Sequence, residues 1–424
     1  MAREKQKKSI FRRFGSWFSK LSKWKKAAFI TALVIVVAGA CVGGYAISKL
    51  NKVERATIDT TKLSIVDIDG YANILMLGVD TRDMDNIDGS RSDAIMVISI
   101  NTKTNEIKLI SLYRDTYLKL GDTSTFDKVT HACSYGGPEL AVQTINQCLD
   151  LNISNYVVVN FKAVADLVDA VGGINVNVQD YEIEQLNKYT RQTAHNIGQK
   201  HYKLVHEPGK QKLTGVQSVS YGRIRKGVGD DFKRTERMRK VLTKVFRKLK
   251  EMPLEQLDEI ADMMLPQVKT TLSNSDILAL SVRLPKYTIH GSTGFPYSVT
   301  SGTVNGISYV IPANLASDVV KLHQEMFGQE EYQVSATCSQ ISAAILSNLE
   351  ASKAKEEEEK AKEKEKKADK KKTDKKVDKS KTKTVKPDKE KKKDTEKEKP
   401  KKEEKPAKEE KPAQEETPEN TVEQ

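Results

Sequence analysis

Apolar positions in the first half of the chain fall into short runs whose spacing alternates between that of a strand and that of a helix. Residues 74–79 (ILMLGV) and 94–100 (AIMVISI) have the length and β-branched content of buried strands. Residues 106–112 (EIKLISL) follow a turn-like NTKTN at 101–105, so three strands are expected to form a meander. Pro138 marks a helix start, because Leu140, Val142, Ile145 and Leu149 then recur roughly at helical spacing. Residues 156–161 (YVVVNF) read as a central strand. A short helix over 163–171 is stopped by Gly172 and Gly173, and 174–178 gives a further strand. Residues 254–264, 273–282 and 339–350 are helix-like, while 287–290 and 308–311 are strand-like. This order predicts an α/β fold, a central mixed sheet flanked by helices in an αβα sandwich, over residues 71–330. Residues 331–350 are expected as a short helical extension.

The ends are different material. Residues 1–26 carry ten Lys or Arg against Glu4 alone, and 351–424 hold 27 Lys and 22 acidic residues among Ala, Pro and Thr. Of the 71 basic and 58 acidic residues, 34 and 35 remain between those ends. The formal charge of +13 therefore belongs to the termini, and a basic, nucleic-acid-binding body is disfavoured. A tail so charged and so poor in apolar residues cannot bury a core, so 351–424 is expected to be disordered or intermittently helical through Glu/Lys pairs. Residues 27–48 (AAFITALVIVVAGACVGGYAIS) carry no charge and are long enough to cross roughly 30 Å of hydrocarbon as a helix. The basic flank before them keeps the N-terminus cytoplasmic and the rest of the chain outside the cell membrane. A retained anchor is favoured over a cleaved signal peptide, because the apolar run continues past the small residues at 38–40. Residues 49–70 then read as an extracellular linker. Outside the cell a disulfide persists, and Cys133 and Cys148 are either that pair or two buried thiols.

Candidate chemistry gathers at strand ends. Asp80 falls just past the first strand and Asp93 at the start of the second, with Arg82 and Arg91 beside them. Carboxylates of this kind suit Mg²⁺, which takes one or two of them plus substrate phosphates, and arginine forks suit phosphate oxygens. A solvated acidic turn with surface ion pairs explains this stretch equally well. Arg114 and Asp115 follow the third strand, with Lys128 and His131 in the loop beyond. Asp231 and Arg234 share a helical stripe with Met238, Leu242, Val245 and Leu249. An arginine on a buried stripe needs an anion. Asp231 can serve Arg234, but one carboxylate does not balance Arg223, Arg225 and Arg237 as well, which favours a phosphate-bearing ligand.

These motifs in this order resemble the LytR-CpsA-Psr phosphotransferases of Gram-positive cell walls, over about residues 74–312. The resemblance rests on GVDTR at 78–82, RSD at 91–93, SLYRD at 111–115, KVTHA at 128–132 with YGGP at 135–138, VDAVGGI at 168–174, LTG at 213–215, and 223–242. It implies transfer of a teichoic acid or capsule-type glycopolymer from a polyprenyl pyrophosphate carrier at the membrane to a peptidoglycan hydroxyl. By that resemblance Asp80 and Asp93 hold Mg²⁺, or Mn²⁺ in its place. Arg91, Arg114, Arg223, Arg225 and Arg234 surround the pyrophosphate, Arg82, Arg237 and Lys128 are lesser contacts, and Asp231 orients arginines or takes the proton of the attacking hydroxyl. The stripe through Met238 either lines an isoprenoid cleft or is plain core. The family usually has glutamine where Met238 stands, and Tyr113 and Thr130 also depart from it. The alternative of another class is a membrane-bound regulator that binds lipid-linked intermediates without turnover.

Overall fold

The computed structural model describes residues 45, 48–81, 87, 89–225, 230–300 and 302–380. Its strands include β1 (Glu54–Arg55), β2 (Tyr71–Val79), β3 (Ser92–Asn101), β4 (Glu106–Leu112), β5 (Tyr117–Lys119), β6 (Phe126–Lys128), β7 (Asn155–Asn160), β8 (Ile174–Val178), β9 (Gly209–Leu213), β10 (Lys269–Thr270) and β11 (Thr288–Phe295), with four two-residue strands between Val299 and Pro312. The helices are α1 (Val129–Leu149), α2 (Phe161–Ala170), α3 (Asp180–Ile197), α4 (Gly215–Arg223), α5 (Asp230–Glu251), α6 (Leu254–Met264), α7 (Asn274–Arg283), α8 (Leu315–Phe327) and α9 (Ala336–Ser380). Among the described residues a seven-stranded sheet runs β1-β10-β7-β2-β3-β4-β11. The β2-β3-β4 meander is antiparallel as expected, and β7 lies parallel to β2, so the sheet is mixed.

Both faces of the meander are covered, which is why its strands read as nearly continuous apolar runs. Leu75, Leu77, Ile95, Val97, Ile110 and Leu112 face one layer, supplied by α1, α8 and the start of α9. Ile74, Met96, Leu109 and Ile107 face the other, where Leu242 and Phe246 of α5 meet them. Each such side chain contributes about 1.5–3 kcal/mol when fully buried. The hairpin of β8 and β9 forms a smaller cluster with α2 to α5. There α4 approaches α2 so closely that a Cβ on Gly215 would lie 2.0 Å from the Ala165 carbonyl oxygen. Glycine is the residue that permits that contact.

Four boundaries differ from those expected. Residues 49–70 are part of the body: β1 pairs with β10, and Leu63 and Ile68 are buried in the main core. Lys128 closes β6, and His131 lies in a helix, because α1 begins at Val129 and continues past a kink at Gly136 and Gly137, where Gly137 has φ +66°. The extension after 330 is integral, since Cys338, Ile341, Ile345 and Leu349 insert into the same core as the sheet. The helix that carries them runs Ala336–Ser380, past the expected end at 350, so residues 351–380 take the helical of the two states expected for the tail. Ala, Lys and Glu are strong helix formers, and Glu/Lys pairs four apart add to that. The chain divides into two units, residues 1–359 and 360–424.

Cys133, Cys148 and Cys338 are buried thiols, none of them in a disulfide. Residues 27–48 fall outside the described residues apart from Tyr45 and Ser48, and no helix among the described residues is long and apolar enough to cross a membrane.

Candidate active site

The site is built at the end of the sheet where β2 stops and β3 starts. Val79 pairs with Ser92 and Gly78 with Ala94, so Asp93 is an extra, unpaired residue in β3. A bulge of this kind re-aims a side chain toward the rim. Arg114, two residues beyond β4, donates from Nη1 to Asp93 Oδ1 at 2.5 Å. Arg234 arrives from α5, with its side chain only 2 % exposed. Its Nη2 donates to the Asp93 carbonyl at 2.8 Å and lies 3.6 Å from Asp93 Oδ2, while Nη1 donates to Asp231 Oδ1 at 3.0 Å. Three distant segments thus meet on one carboxylate.

Charge in this cluster does not cancel. Burial pushes the Asp93 carboxyl up, but Arg234 and Arg114 outweigh it and hold the group below the usual carboxylate range. Arg225 is half-buried, and among the described residues no carboxylate bonds it. Burial and then the guanidiniums of Arg234 and Arg114 push it below the usual arginine range, against the weaker pull of Asp93 and Asp231. Guanidinium stays protonated in proteins, so among the described residues three arginines and Lys128 here face three carboxylates, Asp93, Asp231 and Asp115. Asp231 Oδ2, buried, also has no hydrogen-bond partner.

Arg223 makes its contacts to one side of this cluster. The Arg223 guanidinium lies 5.0 Å from the Phe161 ring centroid and 5.3 Å from that of Tyr189, and it donates to Thr193 Oγ1 at 2.9 Å. Asp80 is exposed in a groove with Thr81, Asn160, Phe161 and Lys162. Asn160 fixes that corner by capping α2, its Oδ1 accepting from Ala163 N at 2.9 Å. Arg223 also lines an apolar cavity of about 160 Å³ between the sheet and α2, α4 and α5. Gly78, Ala94, Met96, Val164, Met238, Leu242 and Val245 line it. The stripe through Met238 therefore has both fates weighed for it: Leu242 meets the core, and the same helix lines a cavity.

A second cluster adjoins the first. Lys128 Nζ is 3.3 Å from Asp115 Oδ1, and Asp115 Oδ2 is 3.8 Å from Arg114 Nε. The first turn of α1 is laced to the rim, with Thr130 N donating to the Arg114 carbonyl at 3.0 Å and its hydroxyl to the Ser92 carbonyl at 2.8 Å. Asp127 Oδ2 accepts from Tyr135 OH at 2.9 Å and lies 2.7 Å from His131 Nδ1. Arg91 is exposed, close enough to Tyr135 to act on its hydroxyl. Asp127 was not singled out in the sequence, though its i,i+4 spacing from His131 across a helix start was a usable signal.

Arg237 belongs elsewhere. Its Nε donates to Glu182 Oε1 at 2.8 Å and its Nη1 to the Ile224 carbonyl at 3.1 Å, with both side chains of the pair buried. Its expected role as a substrate contact is corrected to that of a strut between α5 and α3. Glu182 stands 55 positions away in the chain, too far for any local pattern to pair them. Arg82 lies outside the described residues.

Comparison with known proteins places this geometry. Residues 41–326 match the LytR_cpsA_psr family model. The chain belongs to that family. A Bacillus subtilis relative named polyisoprenyl-teichoic acid–peptidoglycan teichoic acid transferase TagT is 31% identical over 274 residues, 62% of this chain and 81% of its own. An Enterococcus faecalis relative with the same activity name, TagU, is 32% identical over 272 residues, 62% of this chain and 84% of its own. A solved structure described as TagT bound to LIIa-WTA superposes with a TM-score of 0.50 at 26% identity, covering 61% of this chain and 92% of that one.

Proposed function

We propose that this family member transfers a teichoic-acid-type or capsule-type glycopolymer from a polyprenyl pyrophosphate carrier to a peptidoglycan hydroxyl. The observation that carries this reading is the excess of buried and half-buried cation around Asp93, with Arg225 bonded by no carboxylate among the described residues, directly beside an apolar cavity. A buried cation without a counter-ion is strongly disfavoured, and a diphosphate supplies the missing charge while its isoprenoid chain fills the cavity. The named activities of the relatives agree with both halves of such a ligand.

In the reaction the acceptor oxygen attacks the phosphorus on the sugar side. The bond from that phosphorus to the bridging oxygen breaks, and polyprenyl phosphate leaves. Arg114, Arg225 and Arg234 offset the charge that builds on the phosphoryl and bridging oxygens, the largest contribution available to a site with so little covalent chemistry. Asp93 and Asp231 hold Arg114 and Arg234 in place before substrate arrives. Of the two roles open to Asp231, the bond from Oδ1 to the buried Arg234 supports the orienting one. Arg223 is the charged residue of the cavity lining and would face the headgroup end of a bound lipid.

The carboxylates are also compatible with Mg²⁺ or Mn²⁺. Asp93 Oδ2 has only the 3.6 Å contact to Arg234, and Asp231 Oδ2 is a buried oxygen with no hydrogen bond, so the donor set leaves room for a cation. Asp80 and Asp93 would hold it together with phosphate oxygens, and it would add neutralising charge there. The uncharged run at 27–48 would anchor the enzyme, N-terminus inside, so that the site faces the wall. The test is transfer from a short-chain prenyl diphosphate-linked glycan to a peptidoglycan oligosaccharide, with and without EDTA. Product in the wild type and its loss in Arg225→Met are expected. Tight donor binding with no product would show a binder in place of a transferase.

A further inference from the structure

The phosphate cluster leaves open what activates the acceptor, and the structure offers a group for that step. Resting on the transferase reading, we propose that the acceptor hydroxyl is received at the N-terminal end of α1, where His131, held by Asp127, takes its proton. An ionised carboxylate accepts hydrogen bonds and donates none, so the 2.7 Å contact to Asp127 Oδ2 places the imidazole proton on Nδ1. The lone pair is then on Nε2, while the hydrogen bond of this ring among the described residues is the one at Nδ1. That is the arrangement of a general base oriented by a carboxylate.

The surroundings hold the pair in this state. Asp127 is kept ionised, since burial pushes it up but the bonds from His131, the Lys128 amide and Tyr135 hold it below the usual carboxylate range. The groups facing the dyad are Tyr135 from the next turn of α1 and Tyr309, whose OH is 3.4 Å from Asp127 Oδ1. Lys128, whose Nζ sits 5.7 Å from the Tyr309 ring centroid, faces Asp115, and Arg91 acts on Tyr135 from the rim. Both tyrosines are raised, Tyr135 by its bond to Asp127 and Tyr309 chiefly by burial, to about 12, so both remain neutral donors.

Position links the dyad to the reaction. His131 is the next residue after Thr130, which bonds the carbonyls of Ser92 and Arg114, the immediate neighbourhood of Asp93. Tyr135, 62% exposed one turn on, offers a flat face against which a pyranose ring can lie. The chemistry balances without a further reactant. The acceptor O–H proton passes to Nε2, the oxygen forms a bond to the sugar-side phosphorus, and the bridging oxygen leaves with the electron pair as polyprenyl phosphate. The proton is then lost to solvent.

The test uses the full chain in detergent micelles with a prenyl diphosphate-linked glycan and a peptidoglycan oligosaccharide, followed against pH. Wild-type kcat is expected to fall on the acid side as the imidazole is protonated. In His131→Gln it should drop by about a hundredfold or more, with that acid limb gone and the donor Kd unchanged. Asp127→Asn, which keeps the shape, should lower kcat by less than His131→Gln at an unchanged donor Kd, because Nδ1 loses the carboxylate that fixes its tautomer. A wild-type profile flat from pH 5 to 8, or His131→Gln with wild-type kcat and pH dependence, would overturn the proposal. A wild type that transfers nothing from this donor fails the function itself, which is a separate result.

Discussion

Arg234 and Arg237 lie three residues apart on α5 and are both buried, yet they belong to different kinds of structure. Arg237 has its own carboxylate, Glu182, and a backbone carbonyl, so its charge is settled within the protein. Arg234 is also bonded, but it shares Asp93 with Arg114 and crowds Arg225, so its neighbourhood carries more cation than anion. Burial alone does not mark a ligand site. Burial with an unbalanced sum does, because the remainder must come from outside.

The largest effect should come from breaking the balanced pair. Glu182→Ala leaves Arg237 buried with no anion and is expected to cost about 3–5 kcal/mol of stability. Urea denaturation should show this, while transfer per folded molecule stays near wild type. Next comes the unbalanced region: Arg225→Met should lower kcat by about a hundredfold or more, the usual result of removing one transition-state contact. Its melting temperature should be unchanged or slightly higher, because like-charge repulsion is relieved. If Glu182→Ala abolished transfer in well-folded protein, or Arg225→Met left it intact, the contrast would be lost.

A smaller effect concerns acid. The folded pKa of Asp93 is lowered, so its stabilisation is fully present above the unfolded value of about 3.9 and is lost as pH falls through the lower folded value. Asp93→Asn should therefore lose less stability than wild type between neutral pH and about pH 3, measured by thermal melts. The smallest change expected is Met238→Gln. It places an amide on the wall of the apolar cavity beside Gly222, and prenyl diphosphate affinity should change by less than about tenfold.

The meander, β7 and α5 were legible in the sequence because the physics that forms them is local: apolar runs of strand length, turn residues between them, and a helical stripe. The same local reading put Asp80 and Asp93 at strand ends. It failed where the deciding partner is remote. Glu182 answers Arg237 from another helix, and Leu63 and Ile68 make a polar-looking segment part of the core. The dyad of Asp127 and His131 was hidden because Gly136, Gly137 and Pro138 read as the end of a loop. In the fold they are a kink inside α1, with helix on both sides. The bulge at Asp93 has no sequence signature of its own, yet it turns that carboxylate toward three arginines.

The central claim is that one diphosphate completes the charge of this cluster while its lipid enters the adjoining cavity. A crystal structure with a short prenyl diphosphate tests it directly. Phosphate oxygens within hydrogen-bond distance of Arg225 and Arg114, with the chain running past Met238, are the expected result. A diphosphate bound elsewhere, with Arg225 still lacking an anion, would contradict it.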